Sequence, residues 1–290
     1  MTPHDRSPRT VVPRDETMTA RRPNRFFSQN GEDAVLFTAL GGSEGPRFFV
    51  EVGVIDGMRF SNSLLFERLG WTGLCVEPHP VYGEMAKRNR RCRVISAAAG
   101  PENGASVPFY AEQRGALSGT KPESEAFLRK KYKGFFTGFE KTSVEMRTLD
   151  SLLEEVSAPT NFEFVSIDVE GAELDVLEGF DLSRWSPRVV LMEASSDEAR
   201  DALTARLSAT GYTEARRLVS NVFFARDEAD ARALRDAVIE RRVRPTRHPE
   251  DRWTNYKFWQ RGLSPARLVG GTVRLVKSAS RAGSGSVAED

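Results

Sequence analysis

The sequence is poor in residues that would cross-link the chain. Its 290 residues include only two cysteines, Cys75 and Cys92, and three histidines. Two cysteines are too few for a disulfide scaffold, and their spacing is not one that metal sites use. The sequence therefore excludes a disulfide-rich domain, and free thiols favour a reducing, cytoplasmic compartment.

Long apolar runs are also missing. No uninterrupted apolar stretch approaches the ~18 residues of a membrane-spanning helix, and residues 1–25 lack the apolar centre of a secretory signal. These absences exclude an integral membrane protein and lead us to expect a cytoplasmic one. The content of 39% hydrophobic and 29% charged residues is ordinary for a globular protein.

The charge is nearly balanced overall but unevenly distributed. The total is +1, yet six arginines against three acids give residues 1–25 a charge of +3. Eleven basic residues against four acids give residues 241–290 a charge of +7, which leaves −9 for the middle. An acidic body argues against a nucleic-acid partner, which needs a basic face. The basic end is either a solvated extension, which we favour, or a contact for an anionic surface or ligand.

The composition predicts three regions along the chain. Residues 1–25 are typical of a disordered leader, residues 26–240 of a folded domain, and residues 241–290 of a partly disordered basic extension. Within the domain, residues 101–161 interrupt the regular pattern and are expected to form an insertion or flap.

Short apolar runs alternate with helical stretches through the domain. We expect strands at 47–53, 71–78, 92–100, 162–171 and 188–195, helices at 29–40 (capped by Ser28), 61–70, 81–90, 172–180 and 197–209, and a closing hairpin that turns near Ser220 and Asn221. Continuous apolar strands alternating with helices indicate a parallel sheet covered on both faces. The expected fold is therefore α/β: a doubly wound, Rossmann-like, seven-stranded sheet, mostly parallel with a C-terminal antiparallel hairpin.

The insertion itself carries two further signals. A strand is expected to lead into a helix capped near Thr148 or Asp150. Residues 121–139 mix Lys and Arg with Phe and Tyr, which suits binding of a carbohydrate or anionic glycan. The alternative is an amphipathic helix that covers the sheet edge.

Ligands of open α/β sheets bind where the strands end, so the first strand end matters most. It carries Gly53 and Gly57, whose spacing differs from the G-x-G-x-x-G of dinucleotide-binding folds. The acids Glu51 and Asp56 beside this turn would repel a pyrophosphate and suit an amino or sulfonium group. Glu77 ends the second strand, where a carboxylate accepts from ribose hydroxyls. S-adenosylmethionine meets this description, and NAD does not.

Six segments together resemble the FkbM family of class I S-adenosylmethionine-dependent methyltransferases, over about residues 26–226. They are SQNGEDAVL (28–36), FVEVGVIDGMRFSNS (49–63), CVEPHP (75–80), VISAAAG (94–100), TLDSLL (148–153) and IDVEGAELDVLEGF (167–180). The last is the most specific. The chain departs from the family at 51–56, where many members have Asp-x-Gly-Ala-Asn.

The resemblance implies roles for individual residues. Gly53, Asp56 and Gly57 would line the methionine part of the cofactor, Glu77 would hold the ribose, and Ala98 with its neighbours Ala97 and Ala99 would border the adenine. The remaining expected cofactor-binding residues are Glu51, Ser61, Pro78 and Asp168.

The reaction needs a base if the acceptor is a hydroxyl. Asp168 is the best placed candidate, with Glu170 two residues later, although both could simply cap the following helix. His79 is either a base or, as we favour, a rigid loop residue beside the adenosine. Asp168 and Glu193 end neighbouring strands and could hold Mg²⁺, but the carboxylate set is sparse and we do not favour a metal.

The resemblance implies an O-methyltransferase that acts on a hydroxyl of a sugar, a glycan or a glycosylated natural product. The expected partner is thus a small-molecule or glycan acceptor. The alternatives are N-methylation, a nucleotide-sugar acceptor, and a cofactor-binding scaffold without turnover in a glycan-assembly complex.

Overall fold

The computed structural model describes residues 26–41 and 47–238. The leader expected at 1–25 and the extension expected at 241–290 lie outside the described residues. In chain order, the described elements are α1 (Glu32–Leu40), β1 (Phe48–Val52), α2 (Leu64–Arg68), β2 (Thr72–Val76), α3 (Pro80–Asn89), β3 (Arg93–Ile95), β4 (Ala98–Ala99), β5 (Ser106–Glu112), α4 (Glu125–Lys131), β6 (Phe139–Arg147), α5 (Leu149–Glu155), β7 (Phe164–Ile167), α6 (Glu173–Glu178), α7 (Leu182–Trp185), β8 (Val189–Glu193), α8 (Asp197–Ser208), β9 (Thr213–Leu218), β10 (Asn221–Ala225) and α9 (Glu228–Asp236).

Seven of these strands form one sheet in the order β3-β2-β1-β7-β8-β10-β9. The pairs from β3 to β8 are parallel, whereas β10 is antiparallel to both β8 and β9. This arrangement confirms the expected doubly wound sheet with its closing hairpin. The strand order reverses direction between β1 and β7, which places the ligand-binding crevice at their carboxyl ends.

Alternating residues of the central strands enter two separate apolar cores. Val50 and Val52 of β1 pack with α5, α6 and α8, whereas Phe49 packs on the opposite face with α1, α2, α3 and α9. Because both faces are covered, every residue of β1 is buried. This double burial explains why the strand has an almost continuous apolar sequence.

Two strands of the insertion, β5 and β6, form a small second sheet with β4, which precedes the insertion. One expectation about the residues before the insertion was wrong. Residues 92–100 do not form a single strand, because β3 pairs with β2 whereas β4 pairs with β6. The strands of the small sheet are ordered β4-β6-β5. The expected helix after β6 is α5, and its cap is Thr148, whose side chain accepts from the Ser151 N–H at 3.2 Å.

The first helix begins later than expected. It starts at Glu32 with Gly31 as N-cap, so Ser28 is not the cap. The Ser28 hydroxyl instead donates to Asp33 Oδ1 at 2.5 Å and accepts from the Gly31 N–H at 3.1 Å. None of the described helices combines the length and apolarity that crossing a bilayer requires.

Candidate active site

Gly53 directly follows β1, at the switch point where the carboxyl ends of β1, β2 and β7 lie side by side. Its N–H donates to the Val76 carbonyl at 2.9 Å, and the Asp168 N–H donates to the Val52 carbonyl at 3.0 Å. Gly53 has φ +84°, and a Cβ at this position would lie 1.8 Å from the Asp168 carbonyl oxygen. Only glycine therefore fits, and the turn after β1 lies directly against the segment after β7.

Asp56 and Gly57 complete this turn. The Asp56 Oδ1 atom accepts from the N–H groups of Met58 at 2.9 Å and Arg59 at 2.8 Å. These two bonds fix the main chain that leaves the turn. Gly57 has φ +79°, and a Cβ there would lie 2.7 Å from Cγ of Arg90. All three residues expected at the methionine part of the cofactor thus lie at the carboxyl end of β1.

Glu77 follows β2 and turns toward the same loop. Its Oε2 atom accepts from the Ile55 N–H at 2.7 Å, and its Oε1 atom accepts from the His79 N–H at 2.9 Å. Burial raises the pKa of Glu77 to about 7. Pro78 beside it is half-buried, and Ala98 is buried in β4, where it pairs with Met146.

The His79 side chain caps α3. Its Nδ1 atom accepts from the N–H groups of Val81 at 3.2 Å and Tyr82 at 3.3 Å, and its Nε2 atom lies 3.3 Å from the Glu112 carbonyl. Nδ1 as acceptor leaves the proton on Nε2, and burial lowers the pKa of His79, which favours this neutral ring. These contacts occupy both ring nitrogens, so they favour the rigid loop interpretation over a catalytic base.

Glu51 and Ser61 belong to an internal network beneath the turn. The Glu51 carboxylate accepts from the Ser61 hydroxyl at 2.8 Å, the Asn62 N–H at 2.6 Å and the Ser63 hydroxyl. Its remaining partner is Arg90, 3.4 Å away. With its oxygens used in this way, Glu51 orients the chain that leads to α2. Direct contact of Glu51 or Ser61 with the cofactor stays a prediction.

Three carboxyls meet at the ends of β7 and β8. Oxygen atoms of Asp168, Glu170 and Glu193 all lie within 4.8 Å of one another, and the three side chains are half-buried. Burial and the nearby Glu193 and Glu170 charges hold the pKa of Asp168 well above its usual value. Burial and the charges of Glu193 and Glu173 likewise raise the pKa of Glu170. Such a cluster can keep a proton or bind a divalent cation.

Asp168 and Glu170 do not cap the following helix. The N-cap of α6 is Ala172, and within the part of the chain that the structure describes no side chain bonds to this helix start. The loop is held instead by Glu173, whose Oε1 atom accepts from the N–H groups of Val169 at 3.1 Å and Gly171 at 3.2 Å. The helix-capping alternative is therefore wrong, and neither carboxyl is committed to that role.

The insertion reaches this cluster. A Cβ on Gly119 would lie 3.2 Å from the Val169 carbonyl oxygen and 3.6 Å from Cβ of Glu170. Lys121 pairs with Asp175 of α6 at 2.5 Å. The loop before α4 thus lies beside the strand ends that carry the acids.

Sequence reasoning missed Arg90, Glu112 and Glu173 as parts of this region. Glu173 stands in the 167–180 motif, so its position there was an available signal. Arg90 directly follows α3 and Glu112 is the last residue of β5, and neither lies in a motif. Their importance comes only from burial against distant segments.

Comparison with known proteins identifies the family of the chain. The family model of the FkbM methyltransferase domain matches residues 51–222. Among solved structures, the chain is similar to precorrin-6y C5,15-methyltransferase from Geobacter metallireducens GS-15, with 13% identity over 66% of this chain and 84% of that one and a TM-score of 0.37. It is also similar to a putative RNA methyltransferase from Pyrococcus horikoshii, with 14% identity over 68% of this chain and 83% of that one and a TM-score of 0.33. No curated protein matches it significantly. The family match covers more than half of the sequence, and the chain belongs to the FkbM methyltransferase family.

Proposed function

We propose that this methyltransferase uses S-adenosylmethionine to methylate a hydroxyl of a sugar, a glycan or a glycosylated natural product. The observation that carries the proposal is the pair of carboxyls at Asp168 and Glu170. They stand at the end of β7, are not used to cap α6, and adjoin the turn at Gly53. A hydroxyl acceptor needs a base at such a place, because an alcohol is a weak nucleophile until its proton is removed.

The residues around the turn fit the cofactor. S-adenosylmethionine supplies an activated methyl group on a sulfonium. The turn from Gly53 to Gly57 is acidic and has too few glycines for a diphosphate, and Glu77 offers a carboxyl at the ribose position. Asp56 shapes this turn through its two main-chain contacts.

The raised pKa of Asp168 makes this carboxyl a stronger base than an exposed aspartate. We propose that Asp168, which lies beside Glu170 and Glu193, accepts the hydroxyl proton as the acceptor oxygen bonds to the methyl carbon. The bond from that carbon to sulfur would break in the same step, with S-adenosylhomocysteine as the leaving group. The oxygens of these three carboxyls also suit Mg²⁺. A proton held within the cluster relieves the repulsion more simply, so the proposal does not include the ion.

The segment 121–139 supports a carbohydrate acceptor. The Nζ atom of Lys131 lies 5.3 Å from the ring centre of Phe127 and 5.2 Å from that of Tyr132. Lys131 is exposed and also acts electrostatically on Glu170, which places its charge near the acids. Leu128 packs inward while Phe127 is 43% exposed, so α4 both covers the small sheet and presents an aromatic ring. Rings and cations of this kind suit stacking on a sugar and pairing with an anionic substituent.

Titration calorimetry and turnover assays test the proposal together. We expect S-adenosylhomocysteine to bind, NAD not to bind, and Glu77→Ala to abolish the binding, because the ribose loses its acceptor. Asp168→Asn should lower turnover by roughly 10²- to 10⁴-fold and leave S-adenosylhomocysteine binding in place. Asp201→Asn, on the exposed face of α8, is the matched control.

The same assays separate the alternatives. An Asp168→Asn enzyme that methylates as fast as the parent would point to an amine acceptor, which is nucleophilic without a carboxylate base. Binding of S-adenosylhomocysteine without turnover on any sugar, nucleotide sugar or glycan would favour the scaffold. Failure to bind S-adenosylhomocysteine would refute the proposed cofactor.

A further inference from the structure

We propose that Glu112, at the end of β5 in the inserted sheet, is a cofactor-binding residue whose Oε1 atom accepts a hydrogen bond from a donor group of S-adenosylmethionine. The inference rests on the proposed function, since it concerns the same cofactor. It adds a residue that lies outside the large parallel sheet and outside the segments that resemble the family. The donor is an N–H or an O–H, supplied by the nucleoside or by the methionine ammonium.

Glu112 is a fully buried carboxyl with one unused oxygen. Its side chain has 0% exposure. The Oε2 atom accepts from the Arg114 N–H at 2.8 Å, but Oε1 has no hydrogen-bond partner among the residues that the structure describes. A buried polar atom without a partner is rare because its desolvation is uncompensated, so a bound group such as a ligand, an ion or an ordered water is expected to satisfy it.

The surroundings of Glu112 are the loops that carry the proposed cofactor site. Its main-chain carbonyl lies 3.3 Å from Nε2 of His79, the residue whose N–H contacts Glu77. The next residues continue along the same surface. The Gln113 carbonyl accepts from the Tyr82 hydroxyl at 2.8 Å, and the Arg114 carbonyl accepts from the Arg59 guanidinium at 3.3 Å.

The turn after β5 also touches the glycine turn after β1. A Cβ on Gly115 would lie 2.8 Å from Cγ2 of Ile55, whose N–H donates to Glu77. Ile55 and His79 are thus each in contact both with Glu77 and with the segment 112–115. The Glu112 side chain therefore belongs to a segment that packs directly on the loops of the proposed cofactor site.

The carboxyl of Glu112 suits an acceptor role. Burial raises its pKa, while the main-chain N–H groups of Arg114 and Gly115 and the charges of Arg114 and Arg59 act in the opposite direction. These groups offset part of the effect of burial, and either form of the carboxyl keeps a lone pair on an oxygen that can accept a hydrogen bond. A purely structural role would explain Oε2, which closes the turn at Arg114, but it leaves Oε1 unexplained.

Calorimetric titration of Glu112→Gln tests the proposal. Glutamine keeps an oxygen for the Arg114 N–H and places an amide N–H₂ where the acceptor was. We expect the dissociation constant of S-adenosylhomocysteine to rise roughly 10- to 100-fold. Glu145→Gln, an exposed glutamate of the same small sheet, should leave binding unchanged.

A second probe identifies the donor. 5′-Methylthioadenosine has the nucleoside but not the amino acid. Equal weakening of both ligands in Glu112→Gln assigns the contact to the nucleoside, and weakening of S-adenosylhomocysteine alone assigns it to the ammonium.

Thermal unfolding without ligand separates binding from folding. Glutamine keeps the contact with the Arg114 N–H and removes a buried ionisable group, so the Tm of Glu112→Gln should equal or exceed that of the parent, whereas a structural role of the carboxyl predicts a lower Tm. The proposal is overturned if the parent binds S-adenosylhomocysteine and Glu112→Gln binds it equally well, or if the variant loses binding only together with its Tm. If the parent itself does not bind, the proposed function fails first.

Discussion

Gly53 defines the candidate site through its main chain alone. It has no side chain, and the space that a Cβ would take is filled by the carbonyl oxygen of Asp168, 1.8 Å away. The end of β7 can approach the turn after β1 this closely only because Gly53 has no Cβ. At this position, main-chain packing and not a side chain therefore sets the shape of the candidate site.

We expect Gly53→Ala to destabilise the fold and to abolish S-adenosylhomocysteine binding. The added methyl forces the turn away from the end of β7 and adds strain at φ +84°, at a combined cost of about 3 kcal/mol. Urea unfolding and calorimetry measure the two effects.

Gly104→Ala is the control for this prediction. Gly104 has φ +79°, but among the described residues no atom lies within 4 Å of the point where its Cβ would be, so only backbone strain is added. If Gly53→Ala and Gly104→Ala lost the same free energy of unfolding, the contact with Asp168 would not be the cause of the loss.

Arg90, at the end of α3, ties three elements together. Its buried guanidinium donates to Glu67 of α2 at 3.2 Å, to the Ser63 hydroxyl at 2.8 Å and to the Gly57 carbonyl at 3.3 Å. It also pairs with Glu51 of β1 at 3.4 Å. The fork of the guanidinium reaches these partners at once, which a lysine ammonium cannot do.

Arg90→Ala should lower the free energy of unfolding by about 3–5 kcal/mol, because Glu51 and Glu67 would remain as buried, unpaired carboxylates. Urea denaturation provides the measurement. Arg93→Ala removes an exposed pair with Glu155 and should cost no more than about 1 kcal/mol. A cost for Arg90→Ala as small as that for Arg93→Ala would show that the network contributes little.

At the scale of elements, local patterns predicted most of the large sheet. The apolar runs predicted β1, β2 and β8 to within two residues at each end, since continuous apolar strands between helices have few other solutions. The strand expected at 162–171 is also present, but as β7 it is limited to Phe164–Ile167. The division of residues 92–100 could not be predicted, because β4 is defined by pairing with β6, more than forty residues away. Pairing between residues so far apart in the chain produces no pattern in a short stretch of sequence.

The candidate site could likewise be predicted only in part. The proximity of Asp168, Glu170 and Glu193 follows from the rule that parallel strands end at one edge, and the structure shows it. The role of Glu51 could not be inferred, since the Arg90 network that occupies it comes from a different segment. Glu112 was missed for a related reason, because its burial depends on loops that fold onto it from elsewhere.

At the scale of the whole molecule, buried carboxyls dominate the response to pH. Burial raises the pKa of both Asp33 and Glu77 to about 7, and the pKa values of Asp168 and Glu170 are raised as well. Between about pH 4.5 and pH 7 the folded chain therefore holds protons that the unfolded chain has lost, so stability falls as pH rises. The lowered pKa of His79 acts in the opposite direction, but it is a single group.

We expect the Tm of the ligand-free protein to be higher at about pH 5 than at about pH 7.5. Differential scanning calorimetry across this range provides the test. Asp33→Asn should flatten the profile because it removes one of the titrating groups, whereas Asp197→Asn, an exposed carboxyl whose pKa is lowered, should not. A Tm that rises steadily toward neutral pH would contradict the dominance of the buried carboxyls.

The cytoplasmic location stays a prediction.

The contact between Gly53 and the peptide group of Asp168 limits which sequence changes this fold can accept during evolution. Because the turn and the strand end are in direct contact, substitutions can scarcely alter the spacing between the Gly53 turn and the main chain of Asp168. The insertion at residues 101–161 has no such restriction along most of its exposed face. New acceptor preferences would therefore arise by mutation there, with the reaction chemistry inherited intact.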